Sequence, residues 1–235
     1  MPANWAEFYF WLAIFGGFVV ALSRINLPLF RFLTQEDRLL EWIEFFGYFT
    51  AAVVGAVISV MLWRKGEKMY AFVYALFAVG AFFISGEEIA WGQHIFGWST
   101  PAFLNTINHQ HETTLHNVEQ APFNLVMLGI GLYGSVVTWL VRARAGRPTS
   151  EAVNLLTPPL FLTSAFLVLF GYKLLRFTIL PTDRYFVVNM GEWAEFCLAT
   201  ALAIFAVLQR RRIRTAGALP RRGAHRARTA GNGVR

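Results

Sequence analysis

A single cysteine, Cys197, stands among 235 residues. No intrachain disulfide can form, and cysteine usage reveals no redox compartment. Charge is scarce too. Asp, Glu, Lys and Arg make up 15% of the chain, against roughly 25% in a soluble domain. Strand-like alternation is missing, which argues against a transmembrane barrel. There is no glycine-rich phosphate loop and no G-x-S-x-G element. Ser85 is the only serine beside the acidic residues discussed below, and no Ser-His-Asp order can be built on it. One more shortage is local: from about residue 90 to 119 no lysine or arginine occurs.

What the chain has instead is apolar. It is 56% hydrophobic and 16% aromatic. A spanning helix needs about 20 mostly apolar residues, and six segments qualify: roughly 5–23, 41–63, 69–89, 121–141, 153–173 and 191–209. The expected fold is an all-α polytopic transmembrane bundle over 1–209, followed by a basic, disordered cytoplasmic tail over 210–235. The first segment lacks a basic leader and a small-residue cleavage site, so it reads as a retained helix. The tail holds nine arginines and no acid. Basic residues just past a spanning helix set topology and touch anionic lipid, so membrane lipids are the expected partners and nucleic acid is not.

Orientation follows from the basic residues. Arg64, Lys65 and Lys68 mark the second connection, Arg142, Arg144 and Arg147 the fourth, and the arginine cluster the tail. The positive-inside rule makes that side cytoplasmic. The first and fifth connections carry three basic residues each, diluted by Glu36, Asp37 and Asp183. The expected location is a bacterial inner membrane with both termini cytoplasmic. Trp63 and Trp139 would mark the inner interface, and Trp42, Trp91, Trp98 and Trp193 the outer one.

Short matches recur along the chain. EWIEF (Glu41–Phe45) returns as EWAEF (Glu192–Phe196), and RINLP (Arg24–Pro28) is echoed by RFTILP (Arg176–Pro181). An even number of spans separates the copies, so the pattern implies a parallel repeat relating helices one and two to five and six.

The acidic residues are concentrated at one level. Counting 1.5 Å per residue, Glu87 and Glu88 lie about 28 Å along the third helix, Glu44 about 30 Å from the inner surface and Glu195 about 22 Å. Eleven of fourteen acids and four of five histidines fall on the outer side by this topology. Charge in or beside hydrocarbon is costly, so the cluster is the candidate site. Bland readings exist. Asn189–Glu192 (NMGE) reads as a capping box, and Thr34–Asp37 (TQED) as the cap of the second helix. Arg24 and Arg176 would neutralise the E-x-x-E pairs, whose carboxylates share a face. His109, Glu112 and His116 follow i, i+3, i+7 spacing, which suits a metal if the segment is helical. His111-Glu112 with His116 is one residue too long for the zincin H-E-x-x-H.

The segment GEEIAWGQ (Gly86–Gln93) with downstream ETTLHN (Glu112–Asn117) resembles a group of bacterial polytopic membrane proteins carrying G-E-E-I-x-W-G-Q followed by E-T-x-L-H-N. The resemblance covers roughly 85–117 and implies Glu87, Glu88, Trp91, Gln93, Glu112, His116 and Asn117 as the shared residues. It implies no reaction. The membrane hydrolases that include alkaline ceramidases are similar in architecture only, for they have seven helices and a late H-x-x-x-H that this chain lacks.

Three functions fit. The first is an enzyme with a divalent metal, zinc or iron by its mixed ligands, acting on a lipid-like substrate. Glu88, Glu112 and His116, with His109, would ligate. Glu87 or Glu44 would be the base, with Glu195 beside it, and Gln93 and Asn117 would orient these groups. The second is a proton- or cation-coupled carrier, the third a structural or assembly protein. Successive helix positions diverge by about 100°, so Glu87 and Glu88 should face different neighbours.

Overall fold

Inside hydrocarbon every backbone polar group must be satisfied by its own segment, and an apolar run of spanning length therefore folds as a helix. The computed structural model describes residues 3–35, 39–107, 113–115, 120–145, 150–179 and 184–215. Six stretches are long and apolar enough to cross a membrane: Asn4–Ile25, Leu27–Arg64, Lys68–Glu88, Ala121–Arg144, Glu151–Thr178 and Tyr185–Thr215. No strand occurs among the described residues. The chain is an all-α, multi-pass membrane protein. Its elements are α1 (Ala3–Leu22), α2 (Leu27–Thr34), α3 (Leu39–Arg64), α4 (Lys68–Glu88), α5 (Gln93–Phe96), α6 (Ala102–Ile107), α7 (Gln120–Leu132), α8 (Thr138–Arg144), α9 (Glu151–Leu156), α10 (Thr163–Thr178) and α11 (Tyr185–Thr215). A π-turn, Tyr133–Val137, joins α7 to α8.

The spans run longer than the hydropathy pattern indicates, and several local expectations change with them. α2 is a separate short helix, begun by Asn26 as cap and Pro28 in its first turn. Thr34 is its last residue, and its hydroxyl donates to the Phe30 carbonyl instead of capping α3. Glu41 therefore sits in the first turn of α3. α11 starts at Tyr185, so NMGE is helix interior and no capping box: Asn189 Nδ2 donates to the Tyr185 carbonyl at 2.8 Å. Glu192 lies two turns in, where a helix dipole no longer accounts for it. α11 also runs on to Thr215, taking in the start of the basic segment.

α3 lies between α4 and α11. Its buried positions, Glu44, Tyr48, Ala51, Gly55, Ile58 and Leu62, repeat with the 3.5-residue spacing of a packing seam. Small residues let the backbones close up, as in membrane helix pairs generally. A Cβ added at Gly47 would lie 3.0 Å from the Ala199 Cβ and 3.1 Å from its backbone. One at Gly55 would meet the Phe77 ring at 2.7 Å. α1 docks on α10 and α11 through the Gly16-Gly17 step, which leaves room for the Trp193 ring. Trp193 Nε1 donates to the Ala13 carbonyl at 3.1 Å. Trp193 is therefore core, 7% exposed, and not part of an interfacial belt. Trp42, Trp63, Trp98 and Trp139 are exposed as belt residues would be.

Gly47→Leu should separate α3 from α11, because the neighbouring atom is backbone and cannot rotate away. An overpacked core typically loses about 1–3 kcal/mol. A lower unfolding temperature of the purified variant is the expected result, whereas Gly171→Ala, which meets nothing within 4 Å and replaces a poor helix former, should not lower it.

Candidate functional site

The close approach of α3, α4 and α11 carries three glutamates together. Glu44, Glu88 and Glu195, one from each helix, place a carboxylate oxygen within 4.8 Å of one another. Glu44 is fully buried, and neither of its oxygens has a hydrogen-bond partner among the described residues. Glu88 and Glu195 are half-buried. Around them the helices are tied by neutral contacts: Tyr48 Oη donates to the Glu195 carbonyl at 3.4 Å, and Ser85 Oγ to the Phe45 carbonyl at 3.3 Å.

One cation enters the group from α10. Lys173 Nζ lies 2.9 Å from Glu195 Oε1 and donates to Asn124 Oδ1 at 2.7 Å. Its side chain is 8% exposed. Lys173 is the residue that sequence reasoning missed, having been counted with the fifth connection. α10 continues to Thr178, so Lys173 is helix interior. The unbroken apolar run around GYKLLRF is the signal that would have extended the helix past it. Of the arginines considered as partners, Arg24 lies over the Phe186 ring, 4.9 Å from its centroid. The ion pair of Glu195 is with Lys173.

Glu87 and Gln93 do other work. Glu87 is 2% exposed. Its Oε1 accepts from Trp91 Nε1 at 2.7 Å, and its Oε2 accepts from the Leu115 backbone N–H at 2.7 Å. Gln93 Oε1 accepts from the Thr113 N–H at 2.7 Å, and its Nε2 donates to Thr100 Oγ1 at 3.0 Å. Both side chains fasten the following connection to the end of α4. A tight reversal permits this. Ala90, Trp91 and Gly92 all take positive φ, which is costly for the first two. The reversal folds the Trp91 ring back onto Gly86, where any Cβ would collide with it at 2.8 Å. GEEIAWGQ is thus a helix end and its clamp, with Glu88 facing the bundle and Glu87 facing the connection.

Of the Glu88–Glu112–His116 combination only Glu88 is among the described residues. Glu88 meets Glu44 and Glu195. Glu112, His116, His109 and Asn117 lie outside the described residues. No family profile matches the chain, and neither a curated protein nor a solved structure is similar to it.

Proposed function

We propose that the protein is a divalent-cation-dependent membrane enzyme acting on a lipid-like substrate, with Glu44, Glu88 and Glu195 as the cation's ligands. The observation that carries this is Glu44: a fully buried carboxylate, unpartnered among the described residues, aimed at two others. Lys173 offsets one of the three charges, and a divalent ion would offset the other two. Three carboxylate oxygens suit magnesium, calcium or manganese. Zinc or iron would call for a nitrogen or sulfur ligand beside them. Bound there, such an ion supplies Lewis acidity and a nucleophilic water. Lys173 holds Glu195 in place, and Glu87 and Gln93 hold the connection at Leu115 and Thr113.

Elemental analysis of protein purified without chelator tests the reading. Wild type should carry a stoichiometric divalent metal. Glu44→Gln and Glu88→Gln should lose it while remaining folded, and Glu87→Gln, outside the trio, should keep it. Wild type without metal would sink the proposal and favour the second reading, a proton or cation carrier. That reading draws on the buried Lys173–Glu195 pair beside Glu44, since intramembrane ionisable pairs mark proton and ion pathways.

The basic residues further support both termini being cytoplasmic and the cluster lying at the outer face. In a Cys197→Ala background, an impermeant thiol reagent added outside should label a cysteine placed at Asn105 and miss one placed at Arg147. The reverse pattern would invert the topology.

A further inference from the structure

Between α4 and α7 the helices leave a crevice of about 880 Å³. It runs along α4 from Val73 to Ile84, about 16 Å at 1.5 Å per residue. That is half the roughly 30 Å hydrocarbon thickness, the depth of one leaflet. Glycines form part of its walls: at Gly80 and Gly129 an added Cβ would meet nothing within 4 Å. Toward the end far from the carboxylates it is lined by two tyrosines whose hydroxyls are already committed. Tyr74 Oη donates to the Leu155 carbonyl and Tyr133 Oη to the Leu156 carbonyl, each at 2.8 Å. That end offers rings and no spare polar atom.

No charged side chain lines the crevice, but a charged cluster lies beyond its other end, and three helices agree on it. Ala81, Leu202 and Phe166 line the crevice. Seven residues further along the respective helices stand Glu88, Glu195 and Lys173. Seven residues is two helical turns, so each charged group lies on the same face as its crevice residue. α4 and α10 run toward the cluster and α11 away from it, so all three displacements point the same way. The feature is an apolar slot one leaflet deep beneath a charged head site, which is the shape of a lipid.

We infer that the crevice binds the acyl chain of a bilayer lipid, with the lipid's polar head at the Glu88–Glu195–Lys173 end. This names the substrate class of the proposed enzyme. The head-group half rests on that reading, while the acyl-chain half stands on the crevice alone. The occupant is a lipid and not a helix of a second copy, because an apolar slot of one leaflet's length running away from a charged site suits a chain with one polar terminus.

The test uses the full chain in lipid nanodiscs containing a phosphatidylethanolamine with a diazirine midway along one acyl chain. After irradiation, adducts are mapped by mass spectrometry. They should concentrate on α4 and α7 residues of the crevice, beside the general labelling of the exposed face of α1 around Trp11 and Phe15. Gly80→Leu with Gly129→Leu fills open space and replaces two poor helix formers, so the variant should fold. It should lose the crevice adducts and keep those on α1. Glu88→Gln should keep the crevice adducts even as it loses metal. Crevice adducts that survive the double substitution, or wild-type adducts on α1 with none in the crevice, would overturn the inference and leave the cation site standing. Wild type without metal but with crevice adducts would fall on the proposed function alone.

Discussion

Glu44→Leu should be more stable than wild type in chelator and less stable than wild type in a saturating divalent cation. The first half follows from burial. A fully buried carboxyl whose close neighbours are two other carboxyl groups gives up hydration without an N–H or hydroxyl donor in return among the described residues. Replacing buried ionic groups by apolar ones of similar volume is often stabilising, by about 1–4 kcal/mol. The second half follows from linkage. A ligand bound only by the folded state, supplied at 100 times its Kd, adds about 2.7 kcal/mol. The variant has lost a ligand and gains little of this. Thermal unfolding in one detergent, with chelator and then with magnesium, calcium, manganese or zinc in turn, should show the order of the two proteins invert. If no cation shifts wild type and Glu44→Leu is the weaker protein throughout, Glu44 is a packing residue and the site reading fails.

Lys173→Met should be among the most damaging single changes. It leaves Glu195 within 4.8 Å of two other carboxylates with no cation beside it, and it strands Asn124 Oδ1. Breaking a buried pair from one side typically costs about 3–5 kcal/mol, because the remaining charge is uncompensated. Adding Glu195→Gln should recover much of that loss, since the second substitution removes the stranded charge. A double-mutant cycle measures the coupling directly. Additive losses would mean that Lys173 acts through its packing against α7 and not through Glu195.

The two EWxEF copies show how far a short pattern reaches. Their second glutamates, Glu44 and Glu195, meet in the bundle. Their tryptophans differ: Trp193 is 7% exposed against Gly16 and Gly17, while Trp42 is 38% exposed on the surface. The same four letters specify a glutamate position relative to the seam, while the neighbouring helix decides what the tryptophan touches.

Composition and apolar run length by themselves determined that this is a six-span helical membrane protein, because hydrocarbon tolerates few other structures for such runs. They also determined that acidic side chains crowd one end of the spans, because 1.5 Å per residue converts position into depth. Depth is a single coordinate. Which carboxylates share a point depends on helix rotation and neighbour choice, and these are decided by small residues in contact, Gly47 with Ala199 and Gly55 with Phe77. The EWxEF match points to Glu44 and Glu195 together, and only the tertiary structure could add Glu88 to them from the acids at that level. Only it could turn Glu87 toward Trp91 and Leu115, and bring Lys173 in from the neighbouring α10 to pair with Glu195.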